Sequence, residues 1–268
     1  MMPSVRLLAC LAGLMPASIT VAAEATHFWS GDWSLTLGGS VAHGPAFEGA
    51  KDRKFLFSPV ISLGRQGQGP RFTSRNDSAS FAFFDNDQVR AGVIGRFITG
   101  RDEDTSEELK GLSQVKFGGE VGGFVDLYPV ENVRARTELR HGIRSHHGIV
   151  ADLAVDAFVD VTPQIRISGG PRATYATADF GRAYYGVNGS EALGSGLAPY
   201  APASGWQSVG FGGAITWKAT PKIETSAFVE YKHLVGVAAD SSLVHQKGSP
   251  NQLTIGLSAV YRFDFSLE

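Results

Sequence analysis

The chain has 268 residues, of which 43% are hydrophobic and 19% charged, with 33 glycines, 12 prolines and one cysteine. That length suits one large or two ordinary domains. Beyond the first two dozen positions no run of about 18 apolar residues occurs, which excludes a helical membrane protein but not a barrel, whose lipid face appears only at every second residue. The balance of 24 basic against 26 acidic residues, net −2, speaks against nucleic acid as a partner held by net charge.

Met1–Arg6 is short and basic, Leu7–Ile19 is mostly apolar, and the small residues Val21-Ala22-Ala23 precede Glu24. This three-part pattern predicts an export signal over 1–23, cleaved between Ala23 and Glu24. Leu7-Leu8-Ala9-Cys10 resembles a lipobox, but most of the apolar region follows Cys10, so a lipoprotein is not expected. Residues 24–268 then form a single domain with no cysteine, hence no disulfide framework and no thiolate chemistry. Such a chain fits a bacterial envelope.

From there the chain alternates with a period of two, the mark of strands with two unlike faces. Strands are expected near 31–42, 54–64, 70–75, 79–84, 88–98, 114–127, 133–144, 149–161, 164–175, 206–218, 222–235 and 251–263. The clearest is Val133–His141, where Val133, Ala135, Thr137 and Leu139 oppose Arg134, Arg136, Glu138 and Arg140. The next follows suit, with Ala151, Leu153, Val155, Ala157 and Val159 against Asp152, Asp156 and Asp160. Near 222–235, Ala227, Val229 and Tyr231 oppose Glu230 and Lys232. Many strands exceed the five or six residues of an ordinary sheet and are long enough to cross a bilayer at a tilt. Trp33, Trp217, Tyr231, Tyr261 and Phe263 fall near strand ends, where interfacial girdles are expected. Full charges on the polar face suit a wet lumen better than a dry sandwich core.

Connections sort by length. Taken alternately, 65–69, 85–87, 128–132, 162–163 and 219–221 fall at one end of the strands, and 43–53, 76–78, 99–113, 145–148, 176–205 and 236–250 at the other. The expected fold is therefore all-β: a closed antiparallel transmembrane β-barrel of about twelve strands with short periplasmic turns and longer external loops. Pro59 would break a ladder inside the second strand, so ten strands are also compatible.

Arg134, Arg136, Glu138, Arg140, Asp152, Asp156, Asp160, Glu230 and Lys232 are the candidate lumen-lining residues. Opposite charges on neighbouring strands either fill the lumen as cross-strand pairs or form an eyelet selecting a small polar or anionic solute. Asp102, Glu103, Asp104, Glu107 and Glu108 form an external acidic loop. A solvated tip is the plain reading, and bridging to lipopolysaccharide through divalent cations the alternative. His146-His147 reads as a turn, no zinc-binding spacing occurs, and no cofactor is expected. Gly118-Gly119 and Gly122-Gly123 lie within a strand and lead into no helix, so they read as close-packed strand positions rather than a phosphate cradle. The long 176–205 connection carries Tyr184, Tyr185 and Tyr200 and either plugs the barrel or forms an exposed surface.

Several motifs in order carry a family resemblance over most of 24–268. Gly38-Gly39 is followed by Pro45-Ala46-Phe47-Glu48-Gly49, then by Ser58-Pro59-Val60-Ile61 and Leu109-Lys110-Gly111-Leu112. Glu138-Leu139-Arg140 and His147-Gly148 precede Asp179-Phe180-Gly181-Arg182-Ala183-Tyr184-Tyr185-Gly186-Val187 and Leu197-Ala198-Pro199-Tyr200. Tyr231-Lys232-His233-Leu234 and Ala239-Asp240-Ser241-Ser242-Leu243-Val244 complete the set. The chain resembles the MipA/OmpV family. That resemblance implies an outer-membrane barrel among lipid and lipopolysaccharide, serving as a scaffold between a membrane-bound lytic transglycosylase and a bifunctional penicillin-binding protein. It departs from the usual barrel ending, since Phe265 is followed by Ser266-Leu267-Glu268.

No enzyme is expected. The His-x-Ser-Asn-Gly signature of barrel phospholipases is missing, and no motif pairs external carboxylates with a histidine. The alternative to a scaffold is a narrow diffusion channel for small polar or anionic solutes.

Overall fold

The computed structural model describes residues 30–65 and 72–267. The expected signal over 1–23 and its cleavage point at Ala23 and Glu24 lie outside the described residues. The strands are β1 (Gly31–Pro45), β2 (Arg53–Arg65), β3 (Ala79–Asp85), β4 (Val89–Ile98), β5 (Gly118–Val130), β6 (Val133–Ile143), β7 (Ile149–Asp160), β8 (Ile165–Ala176), β9 (Gly205–Lys218), β10 (Ile223–Leu234) and β11 (Asn251–Leu267). They close into one barrel in the order β1-β11-β10-β9-β8-β7-β6-β5-β4-β3-β2. Closure runs through an antiparallel β1–β11 ladder from Gly31↔Leu267 to His43↔Ile255. Closure pairs the backbone groups that an apolar surrounding would leave unsatisfied, except where β2 meets β3 at only two residues.

The period-two pattern becomes two surfaces. Val121, Val125, Leu139, Leu153, Val155, Ile167, Phe211, Ile215 and Leu257 all point outward and are exposed. Their neighbours Glu120, Asp126, Glu138, Arg140, Asp156 and Phe228 point inward and are buried. An apolar band of this extent makes the outer solvent lipid rather than water. Trp217, Tyr231, Tyr261 and Phe263 are exposed on the outer face, whereas Trp33 is only 4% exposed and stacks on Phe81 at 5.7 Å. Trp33 is therefore not part of an exposed girdle.

Eleven of the expected strands are present with small changes at their ends. The exception is the segment expected at 70–75, whose described residues form no strand. Instead β2 and β3 run in the same direction and pair in parallel over Ser62↔Ser80 and Leu63↔Phe81. The connection between them must return from the end of β2 to the start of β3, and residues 72–78 do so inside the lumen. Phe72 is buried and stacks on Phe158 of β7 at 4.5 Å, while Arg75 sits 4.2 Å over the Phe228 ring of β10. This inward return explains how an odd number of strands leaves both ends of the barrel on one side. It also merges the expected 65–69 and 76–78 turns into one connection. Pro59 breaks no ladder on its far side, because only Ser62 and Leu63 of β2 pair with β3.

The other connections sort as expected, with 86–88, 131–132, 161–164 and 219–222 at one end and 46–52, 99–117, 144–148, 177–204 and 235–250 at the other. The long 177–204 connection is built rather than structureless. It holds α1 (Ala178–Tyr185) and α2 (Gly189–Ser195). Phe180 and Tyr185 pack with Val150, Ala176, Leu234, Ala238 and Val244, and Val187 and Leu197 pack with Phe47, Leu109 and Leu243. These two apolar clusters cap the external end of the barrel.

Glycines inside β5 serve close strand contact. A Cβ at Gly122 would lie 1.9 Å from the Leu139 carbonyl oxygen, whereas one at Gly123 would meet the Gly92 oxygen at 3.4 Å. Gly122→Ala is expected to destabilise the barrel by about 1–3 kcal/mol or more through overpacking. Gly123→Ala should change it little. The loss of heat-modifiable mobility on gels, read against temperature, separates the two.

Candidate functional site in the barrel lumen

The inward faces of β5, β6, β7 and β8 place their charges in register. Asp126 lies opposite Arg136, Arg134 opposite Asp156, and Glu138 opposite Asp152. Arg136 binds both oxygens of Asp126 at 2.9 Å through Nη1 and reaches Glu138 Oε1 at 2.8 Å through Nε. Arg140 donates to Glu120 at 2.6 Å, Glu138 at 2.5 Å and Asp152 at 2.7 Å. Arg134 donates to Asp156 at 2.7 Å, and Arg172 on β8 also contacts Asp156. Buried guanidinium groups need this many partners, since an unpaired charge away from water costs several kcal/mol.

The inner segment is tied into the same network. Arg134 grips Asp77 with both Nη atoms, at 2.6 and 3.0 Å. Ser78 donates its backbone N–H and its hydroxyl to the two oxygens of Glu138 at 3.0 and 2.6 Å. Arg96 of β4 donates to Ser78 Oγ at 3.1 Å and to the Asn76 carbonyl at 3.0 Å. Two voids border the segment: one of about 800 Å³ toward the external cap and one of about 100 Å³ toward the short-turn end.

The network also reaches the cap. His146 is buried beyond β6, with Nε2 at 2.9 Å from Glu120 and Nδ1 accepting the Gly148 N–H at 3.2 Å. Its ring meets Phe180 and Tyr184 of α1 edge-on, at 5.1 and 5.8 Å. Arg101, in the connection after β4, lies 5.2 Å from both the Phe47 and Tyr184 rings and donates to the Tyr184 carbonyl. Burial pulls this guanidinium below its ordinary value, with Tyr185, Tyr184 and Glu48 opposing. Burial pushes the Tyr184 and Tyr185 phenols up.

Of the residues singled out in the sequence, Arg134, Arg136, Glu138, Arg140, Asp152 and Asp156 come together. Asp160 keeps inward parity but ends at the rim, 43% exposed, held by Arg166 at 2.8 Å and Lys218 at 3.2 Å. Glu230 lies across the lumen, 3.8 Å from Arg75, and Lys232 lies 3.4 Å from Glu48. The external acidic residues are spread along 102–108, where Asp102 bonds Thr105 and Glu108 bonds Ser106 at 2.6 Å. Among the described residues no group of His, Cys, Asp and Glu side chains is placed to hold a metal ion. Asp77, Arg96, Glu120, Asp126 and Arg172 are not among the candidates read from the sequence, and His146, read there only as part of a turn, is a buried partner of Glu120. Glu120 and Asp126 are legible by pairing 114–127 with 133–144 in register, but Asp77 arrives from a segment whose course no local pattern reveals.

On the cap, the Asn188 side chain accepts from the Ser190 and Glu191 N–H groups, and Glu191 accepts the Asn188 N–H in return. Glu191 also accepts the Ser113 N–H at 3.0 Å, linking α2 to the 99–117 connection. Burial pushes its carboxyl up, but the Asn188 and Ser113 hydrogen bonds outweigh this and hold it below the ordinary 4.5. A carboxyl lower in the folded state stabilises fully above its unfolded value and loses that contribution as pH falls through the folded one. Amide protection over 188–196, corrected for intrinsic exchange, should hold from neutral pH to about pH 5 and then decline. Glu191→Gln should remove that pH dependence.

The NanC porin is similar over 85% of this chain and 98% of its own, at 8% identity and a TM-score of 0.42. A bacterial polysaccharide outer-membrane secretin matches over 86% and 98%, at 11% identity and a TM-score of 0.40. The outer-membrane channel DcaP of Acinetobacter baumannii matches over 87% and 98%, at 10% identity and 0.34. A comparison with curated proteins returned no match. The family described as MltA-interacting protein MipA matches residues 37–263, most of the chain. With its closed barrel and lipid-facing exterior, the chain belongs to the MipA family and resides in the outer membrane.

Proposed function

We propose that the protein is a non-conducting, non-catalytic scaffold barrel of the outer membrane, joining a lytic transglycosylase to a bifunctional penicillin-binding protein. The observation that carries the non-conducting half is the inner segment 72–78, held across the lumen by Arg134, Arg96 and Glu138 beneath the external cap. A diffusion channel needs a continuous wet path, and fixed ion pairs with a buried chain segment work against one. The partner half rests on the family description, which names interaction with MltA. A periplasmic enzyme would meet the short-turn end, where 86–88, 131–132, 161–164 and 219–222 project beside both ends of the barrel.

Affinity capture with the purified barrel in detergent tests the reading. Expected is retention of a lytic transglycosylase and, through it or beside it, a bifunctional penicillin-binding protein. Replacing Thr162–Gln164 and Thr220–Lys222 with Asn-Gly turns should abolish retention and leave the barrel folded. A correctly folded barrel that retains neither enzyme would remove the scaffold role.

A further inference from the structure

The wall of the barrel has one incomplete sector. β2 is paired with β1 along its whole length, from Trp33↔Arg65 to Pro45↔Arg53, but with β3 only at Ser62 and Leu63. β3 in turn reaches β4 no higher than Ala79↔Gly95, while β4 continues through Ile98 on β5. Toward the external end, β2 from Arg53 to Ile61 and β4 beyond Gly95 therefore face one another, with no strand between them among the described residues. One missing strand leaves a slot of about 10 Å between strand axes.

This slot lies at lipid depth. Phe55, Phe57 and Phe97 point outward along its two edges, and Phe57 is 75% exposed. Backbone edges without partners are tolerated at this depth only where they are buried in protein or line a cavity that water can enter. Here they do. The void of about 800 Å³ is bounded both by those outward phenylalanines and by inward Leu56, Val60 and Ile98, and it continues into the lumen. Its size falls within the range of small-ligand sites, about 300–1,000 Å³.

The cap side of the void carries a cation with no carboxylate of its own. Arg90, Arg134, Arg136 and Arg140, all buried in the lumen, each pair with a carboxylate. Arg101 lines the same void and is only 9% exposed, yet among the described residues it has no carboxylate in ion-pair contact. Its Nη1 has no hydrogen-bond partner and is itself covered, so a ligand in the void meets it only when the side chain turns. The nearby Glu48 is engaged by Lys232. The void is apolar where it opens between β2 and β4 and charged toward the lumen, where Asp77, Glu120, Glu138, Asp152 and Glu230 are each engaged by an arginine. A buried guanidinium without a carboxylate of its own, set beside aromatic rings, is complementary to an anion carried on a hydrocarbon chain.

We propose that this void is a lateral binding site for a single-chain amphiphile with an anionic head, the chain lying in the slot between β2 and β4 and the head meeting Arg101. The slot width favours one chain over the paired chains of a bilayer phospholipid. The head is a carboxylate or a phosphate, so the source is either a free fatty acid or a lysophospholipid.

Spin-labelled stearate and spin-labelled lysophosphatidate, added separately to the purified barrel in neutral detergent, test this. Expected is an immobilised spectral component that saturates at about one label per barrel for at least one of the two, as a single pocket dictates. Preference for stearate identifies the free acid as the source, and preference for lysophosphatidate the lysophospholipid. Arg101→Gln should weaken binding about tenfold or more, the loss of a charge-assisted hydrogen bond. The uncharged methyl ester of the stearate label should bind the unaltered barrel as weakly, a control that needs no variant to fold. Ser58→Trp, which places a large ring at the inner side of the slot, should abolish the immobilised component while heat-modifiable mobility persists. Labels that never saturate, or that bind all three proteins and the ester alike, would overturn the site. So would native mass spectrometry showing the slot occupied by a peptide, the sign of strand addition to the β2 edge.

Discussion

Replacing Arg134 with alanine is expected to destabilise the barrel by about 3–5 kcal/mol, the cost of breaking a buried ion pair from one side. Arg134 is fully buried and holds Asp77 with two hydrogen bonds and Asp156 with a third. Its removal leaves Arg136 at 3.6 Å from Asp77 and Arg172 on Asp156, so the lower part of that range applies. Arg134→Lys should recover only part of the loss, because an ammonium cannot span both carboxylates as the planar fork does. The double change Arg134→Met with Asp77→Leu should be less damaging than the sum of its parts, since both members of the pair go together. Asp160→Ala on the neighbouring strand is the contrast: half exposed at the rim, it should cost under about 1 kcal/mol. Urea unfolding in lipid vesicles, followed by tryptophan fluorescence, measures all four. Equal midpoints for Arg134→Ala and the unaltered protein would show that the network contributes nothing to stability.

Freeing the inner segment is expected to turn a silent barrel into a conducting one. Phe72 anchors the segment by stacking on Phe158, and Asp77 anchors it through Arg134. The combined change Phe72→Ala and Asp77→Ala removes these two holds, leaves the Arg75, Arg96 and Glu138 contacts on the segment, and leaves Arg134 and Arg136 facing the lumen with one carboxylate fewer. In planar bilayers the unaltered protein should give no steps. The double variant should give discrete, salt-dependent steps that favour anions, as a lumen with surplus guanidinium charge requires. Adding Arg136→Ala should reduce that selectivity. Steps of equal size from the unaltered protein would mean that the segment does not seal the lumen, and the channel reading would replace the closed one.

Much of the architecture was legible in the sequence, for reasons that are local. Strand character follows from alternation, because period two puts Leu139 and Leu153 on the lipid side and Arg140 and Asp152 within. The sorting of connections by length likewise survives, because short turns and long loops need no tertiary information. Hairpin neighbours could be put in register across their turns, and that step alone would have paired Asp126 with Arg136.

What escaped was non-local. The stretch expected as a strand at 70–75, followed by a turn at 76–78, is short and mostly polar apart from Phe72. The three-dimensional path decides otherwise, because Arg134 and Arg136 reward Asp77 with contacts that no neighbouring strand offers. The same path removes the strand that would have covered the β2 edge, so the slot exists only in the folded barrel. Helix α1 was also hidden, since a short amphipathic turn gains its stability from packing Phe180 and Tyr185 against Leu234 and Val244 across the barrel end. The sequence by itself determined the barrel, its two faces and its two unlike ends, since each rests on residues close together in the chain. The tertiary structure alone decided how the lumen is filled and where the wall is open, because those depend on contacts between segments far apart in the sequence.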